Sequence, residues 1–138
     1  VGRCGRPEEV AELCELAEKT TAGGAHNEHG RFHWRRVPLY DRILNLSLAL
    51  RESGSARAGR ALGSILGRDR VGGYVQTEAL DGSMNYASAL LEVILAEAAA
   101  RCGSEVGLST LRAYCSDVRD VLADFAESSL ADIQRGAA

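Results

Sequence analysis

Apolar side chains recur along this 138-residue chain at spacings of three and four, and no stretch shows the period-2 alternation of a half-buried strand. Pro7, Glu8 and Glu9 precede Val10, Leu13, Cys14 and Ala17. A proline inside the first turn, acids that complement the helix dipole and one apolar stripe predict a helix to about Lys19. Residues 20–30 contain Gly23 and Gly24 among polar residues and read as a connection. A second helix is predicted after Pro38, carried by Leu39, Ile43, Leu46, Ala49 and Leu50, with Gly54 as its terminator. Arg57 to Arg68 carries Ala58, Ala61, Leu62, Ile65 and Leu66, but Gly59 and Gly63 lower its propensity, so an irregular short helix is expected. Gly72 and Gly73 break the chain again, and Tyr74 to Leu80 reads as one short helix ending at Asp81-Gly82.

Met84 to Arg101 is apolar on nearly every face. A helix of that kind is surrounded by other helices or by lipid. Glu92 and Glu97 argue for protein surroundings, because a charged group at mid-bilayer costs at least ~2.5 kcal/mol. The stretch is therefore expected to be the central helix. Gly103 to Gly107 turns the chain, and Leu108, Leu111, Cys115, Val118, Leu122 and Phe125 mark one amphipathic helix that completes a hairpin with it. A last short segment, Ser128 to Arg135, carries Leu130 and Ile133. The pattern is all-α, in a single domain over 1–138, a length that can bury a core without disulfides or metals.

Composition removes several function classes. A formal charge of −3 with scattered basic residues gives no footprint for nucleic acid. Cys4, Cys14, Cys102 and Cys115 form no CxxC pair, and free thiols in a reducing compartment are expected. No hydrophobic leader or membrane tail is read, so a soluble, cytoplasmic chain is expected. His26, His29 and His33 have a spacing that could offer two imidazoles to a metal on a helix, but Gly30 disfavours that helix and solvated loop histidines are expected. Phe32 and Trp34 read as anchors for the following helix. Glu92 and Glu97 do not share a face, and no GxSxG, P-loop or HExxH pattern occurs. Neither catalysis nor a cofactor is expected.

Ala49 to Gly54, Asp81 to Ser88 and Asp124 to Gly136 are three stretches that, in this order, resemble homology regions of the Bcl-2 family. Ala49-Leu50-Arg51-Glu52-Ser53-Gly54 is similar to a BH3 helix, in which a leucine is followed four residues later by a small residue. Asp81-Gly82-Ser83-Met84-Asn85-Tyr86-Ala87-Ser88 is similar to BH1, in which Asp-Gly precedes Asn-Trp-Gly-Arg and the central helix. Asp124 to Gly136, with Ile133-Gln134-Arg135-Gly136 at its end, resembles BH2.

The resemblance implies a Bcl-2-like helical bundle around a central apolar hairpin. It also implies a survival function: capture of the amphipathic BH3 helices of pro-apoptotic proteins in a surface groove, which blocks mitochondrial apoptosis. Implied partners are BH3-only activators and Bax- or Bak-type executioners, met in the cytoplasm or at the mitochondrial outer membrane, and an open groove would also favour a homodimer. The compact length is similar to that of virus-encoded members. Groove residues implied are Leu62, Ile65 and Leu66 on one wall, Val75 and Leu80 below, and Asn85, Tyr86, Ala87, Ser88 and Leu90 from the start of the central helix. Ser88 stands where the family arginine pairs with the ligand's aspartate, so Arg57, Arg60 or Arg68 would have to replace it and the ligand range would narrow. The other reading of the same residues is a generic helical adaptor or metal-binding bundle.

Overall fold

The protein is described by a computed structural model. It covers residues 7–20, 38–68, 71–75 and 82–137, of which 20, 38–41, 82–87 and 137 are described by backbone alone. The fold is all-α: α1 (Pro7–Thr20), α2 (Pro38–Ser53), α3 (Ala56–Leu66), α4 (Gly82–Arg101), α5 (Glu105–Tyr114) and α6 (Asp120–Ala137). Among the described residues there is no strand, and no helix is long and apolar enough to cross a membrane.

Each outer helix buries one stripe. In α1 it is Val10, Cys14 and Ala17, in α2 Ile43, Leu46, Ser47 and Leu50, in α5 Gly107, Leu111 and Tyr114, and in α6 Leu122, Ala126 and Ser129. These repeats of three, four and seven put one face of each helix inward. By contrast α4 is buried on every side from Ala89 to Ala100, apart from the partly covered Leu90 and Ile94. It packs against α2, α3, α5 and α6, while α1 lies against α2 and α3. Each fully buried leucine stabilises this arrangement by about 1.5–3 kcal/mol relative to exposure.

Several expectations need correction. Ala56 to Leu66 is a regular helix, started by Ser55, whose hydroxyl accepts from the Arg57 N–H at 3.2 Å. Gly59 and Gly63 are not breaks there: a Cβ on Gly59 would stand 2.5 Å from the Cys102 carbonyl oxygen, and one on Gly63 would stand 2.9 Å from Ser104 Oγ. The two glycines allow α3 to approach the corner between α4 and α5. That corner is tighter than expected, since Ser104 caps α5 by accepting from the Gly107 N–H and Gly107 lies inside the helix.

The expected single helix from Leu108 to Phe125 is two helices with a break at residues 115–119. Asp117 causes it: its carboxylate accepts from the Arg119 backbone N–H at 2.9 Å and from Arg119 Nε at 2.7 Å, a local arrangement that competes with helix continuation. Val118, counted in the apolar stripe, is exposed, and the expected last segment Ser128 to Arg135 is continuous with α6. Finally, Tyr74 is not helical. The Gly73 and Tyr74 N–H groups both donate to the Glu92 carboxylate, and Gly73 has φ of +94°, so the chain runs across α4 as a strap; residues 76–80 lie outside those described.

Candidate functional site

Of the residues expected to line a groove, those whose side chains are described sit in or against the core. Leu62, Ile65 and Leu66 are buried in the core, and Ser88 is also buried. The apolar stripe of α3 faces inward because α1 and α4 cover it. Val75 and Leu90 are partly buried and packed on the same core. Asn85, Tyr86 and Ala87 lie on the first turns of α4, with side chains outside the described set, as is Leu80. Arg68 donates to the carbonyl of Glu18 at the end of α1, and Arg57 lies beside the Cys14 thiol. Arg60, another candidate charge partner, sits at the edge of a depression.

That depression is a groove of about 530 Å³ where α3 crosses the α4–α5 corner. Ala56, Arg60 and Ser64 line it along α3, one and two turns apart, and Gly103, Glu105 and Val106 face them. Val106 is half exposed, an apolar side chain left in solvent at the groove wall. Gly103 turns the corner with φ of +88°, a conformation that favours glycine, and nothing stands within 4 Å of where its Cβ would be. The same glycine borders a second depression of about 370 Å³ against Ile133 and Gly136 of α6, so the corner is flanked on both sides. Arg60 is exposed and enters none of the ion pairs among the described residues.

Two polar clusters hold the elements that frame this corner. Glu97, 3% exposed, accepts from both Arg51 of α2, at 3.2 and 3.4 Å, and Arg101 one turn further along α4. Glu92, 5% exposed, points elsewhere: it accepts from the Gly73 and Tyr74 N–H groups at 2.9 Å each and from the Tyr114 hydroxyl at 2.5 Å. Burial, then the neighbouring Glu92 charge, pushes the Tyr114 phenol far above its ordinary range. Arg119 ties the strap from the other side, donating to the Tyr74 carbonyl at 2.7 Å and to both oxygens of Asp117. The hydrogen bonds that Arg119 donates to Asp117 raise its guanidinium pKa further, so it stays charged. The two glutamates thus serve separate partners, and no group among the described residues has the donors to hold a metal ion. His26, His29 and His33, together with Phe32 and Trp34, lie outside the described residues.

Cys14 and Cys102 are buried free thiols and Cys115 is a partly buried one, and burial is the main cause raising all three. A group whose folded pKa exceeds its unfolded value favours folding below the unfolded pKa and loses that contribution as pH rises above it. With an unfolded thiol near pH 8.5 and an unfolded phenol near pH 10, the unfolded chain sheds protons first. Urea unfolding at pH 7.5 and 9.5 is expected to show lower stability at the higher pH, and Cys14→Ala with Cys102→Ala should flatten that slope.

The sequence signals for the corner were Gly59 and Gly63 four apart on α3 and the Gly103–Gly107 pair, but spacing alone does not show that they meet. No family model, no curated protein and no solved structure matches this chain.

Proposed function

We propose that this chain is a non-catalytic docking protein that captures an amphipathic helix at the corner groove, in the manner of Bcl-2 family survival proteins holding a BH3 helix. The observation that carries the reading is the groove itself: a channel with the half-exposed Val106 on its wall and, at its rim, an exposed Arg60 that enters no ion pair among the described residues. A ligand helix laid there would place apolar anchors against Val106 and Ala56 and an acidic residue against Arg60, the pattern of a helix-in-groove contact. The three stretches similar to BH3, BH1 and BH2 supply the choice of ligand class, and a central apolar hairpin of α4 and α5 is compatible with it.

The groove lies at the Cys102 end of α4, whereas the BH1-like stretch 81–88 opens that helix. The proposed contact is therefore shifted along the helix, and Arg60 takes the part of the family arginine that Ser88 replaces. Capture of BH3-only activators or of Bax- or Bak-type proteins would then restrain permeabilisation of the mitochondrial outer membrane.

Fluorescent BH3 peptides titrated by anisotropy test this. Binding on the order of micromolar is expected. Ala56→Trp should abolish it by filling the groove, and Arg60→Glu should weaken it by about tenfold or more through charge reversal. No binding by any peptide at tens of micromolar, or equal binding by both variants, overturns the reading.

A further inference from the structure

We propose that residues 71–75 form a latched strap that opens as a unit while the helical body stays folded, with Glu92 as the latch. The strap is attached mainly by side chains and not by a backbone ladder. Its two central N–H groups end on one buried carboxylate of α4, and the carbonyl of the same Tyr74 ends on Arg119 beyond α5. Apart from these bonds, its backbone contacts among the described residues are local turns back to Arg68.

The strap is tightly fitted at Gly72, while the next residue, Gly73, faces open space. A Cβ on Gly72 would fall 2.3 Å from the Leu66 carbonyl oxygen and 3.2 Å from Glu92 Oε2, while one on Gly73 would meet nothing within 4 Å. Val71 is buried as the plug of the strap, whereas Gly73 is exposed and Tyr74 and Val75 are partly exposed. Arg119 Nη1 is buried with no hydrogen-bond partner among the described residues. A segment whose central backbone groups end on side chains and not on a backbone ladder belongs to the low-stability end of a native protein. Opening would uncover the Leu66 end of α3 and return the Glu92 carboxylate to water, without breaking the packing of α4 on its neighbours. Glu92 stands ten residues before Cys102, about 15 Å along α4, so the device is separate from the corner groove.

Native-state hydrogen exchange on the intact chain reads this directly. In the unaltered protein, the Gly73 and Tyr74 amides are expected to exchange through an opening with little denaturant dependence. Those of Leu95, Ala96 and Ala99 should follow global unfolding. Glu92→Gln keeps the volume, but whichever way its amide turns, one strap N–H faces an NH2 group. It should speed exchange at Gly73 and Tyr74 by about tenfold or more beyond any change in α4. Glu97→Gln, buried but away from the strap, should leave that difference unchanged. The proposal is overturned if strap and α4 amides share one denaturant slope in the unaltered protein. It is equally overturned if Glu92→Gln accelerates both regions alike or neither, or if Glu97→Gln loosens the strap as much.

Discussion

Gly107→Val is expected to lower the unfolding free energy by about 3 kcal/mol or more, enough to leave a marginal domain partly unfolded at room temperature. A Cβ at this position would fall 2.6 Å from the Ala100 nitrogen, 2.7 Å from the Ala96 carbonyl oxygen and 2.8 Å from Ala99 Cβ. Two of those atoms belong to the backbone of the buried helix α4 and cannot turn aside as a side chain could. Replacing a helical glycine normally gains up to ~1 kcal/mol in propensity, so the steric term must exceed that gain by severalfold to give the expected sign. Urea unfolding followed by circular dichroism checks it, with Gly136→Ala as the contrast. Gly136 is a helical glycine with nothing within 4 Å of an added Cβ, and that change should be neutral or stabilising.

The second large effect separates the two buried glutamates. Glu92→Leu should cost about 3 kcal/mol, because it strands the Tyr114 hydroxyl in the core and removes the acceptor for two strap amides. Glu97→Leu should cost under ~1 kcal/mol, although Glu97 is at least as buried. Its partners Arg51 and Arg101 keep about a third of their side-chain surface in solvent, so they can rehydrate once the carboxylate is gone. Removing Glu97 also removes the cost of burying its charge, which offsets part of the lost ion pairs. Parallel unfolding curves decide the matter: equal losses for the two variants would show that the arginines remain trapped or that the strap donors are readily hydrated.

The residues that made parts of this architecture legible share one property: their effect is local. Pro7 with Glu8 and Glu9, Pro38, and the unbroken apolar run after Met84 act within a turn or two of where they stand, and α1, α2 and α4 follow them closely. Gly54 ends α2 with φ of +61°, again a local matter. The misread elements depend on distant partners. Tyr74 reads as helical until the Glu92 carboxylate, eighteen residues on, takes its amide. Gly59 reads as a weak point until the Cys102 carbonyl fills the space a side chain would need. Arg51 and Glu97 are 46 residues apart, and nothing in either's neighbourhood announces the other. The break at Asp117 has a local cause, since an aspartate two residues before an arginine can turn the chain on itself, but the apolar spacing runs unbroken across it. For the site, Leu62, Ile65 and Leu66 read as groove residues from sequence but lie in the core. Composition cannot tell a groove wall from the interior when both are Leu and Ile.

The tight corner at Cys102 to Ser104 also bears on how the chain reaches this state. Only three residues separate α4 from α5, so the most apolar helix finds its first cover from its immediate successor, and closing so short a loop costs little entropy. The α4–α5 pair is thus the natural seed of assembly, with α3 and α6, each the next element outward, added before α1. Because α1 docks mainly on α2 and α3, it would join a body already formed, and damage to its stripe of Val10, Cys14 and Ala17 would quicken unfolding more than it would slow folding.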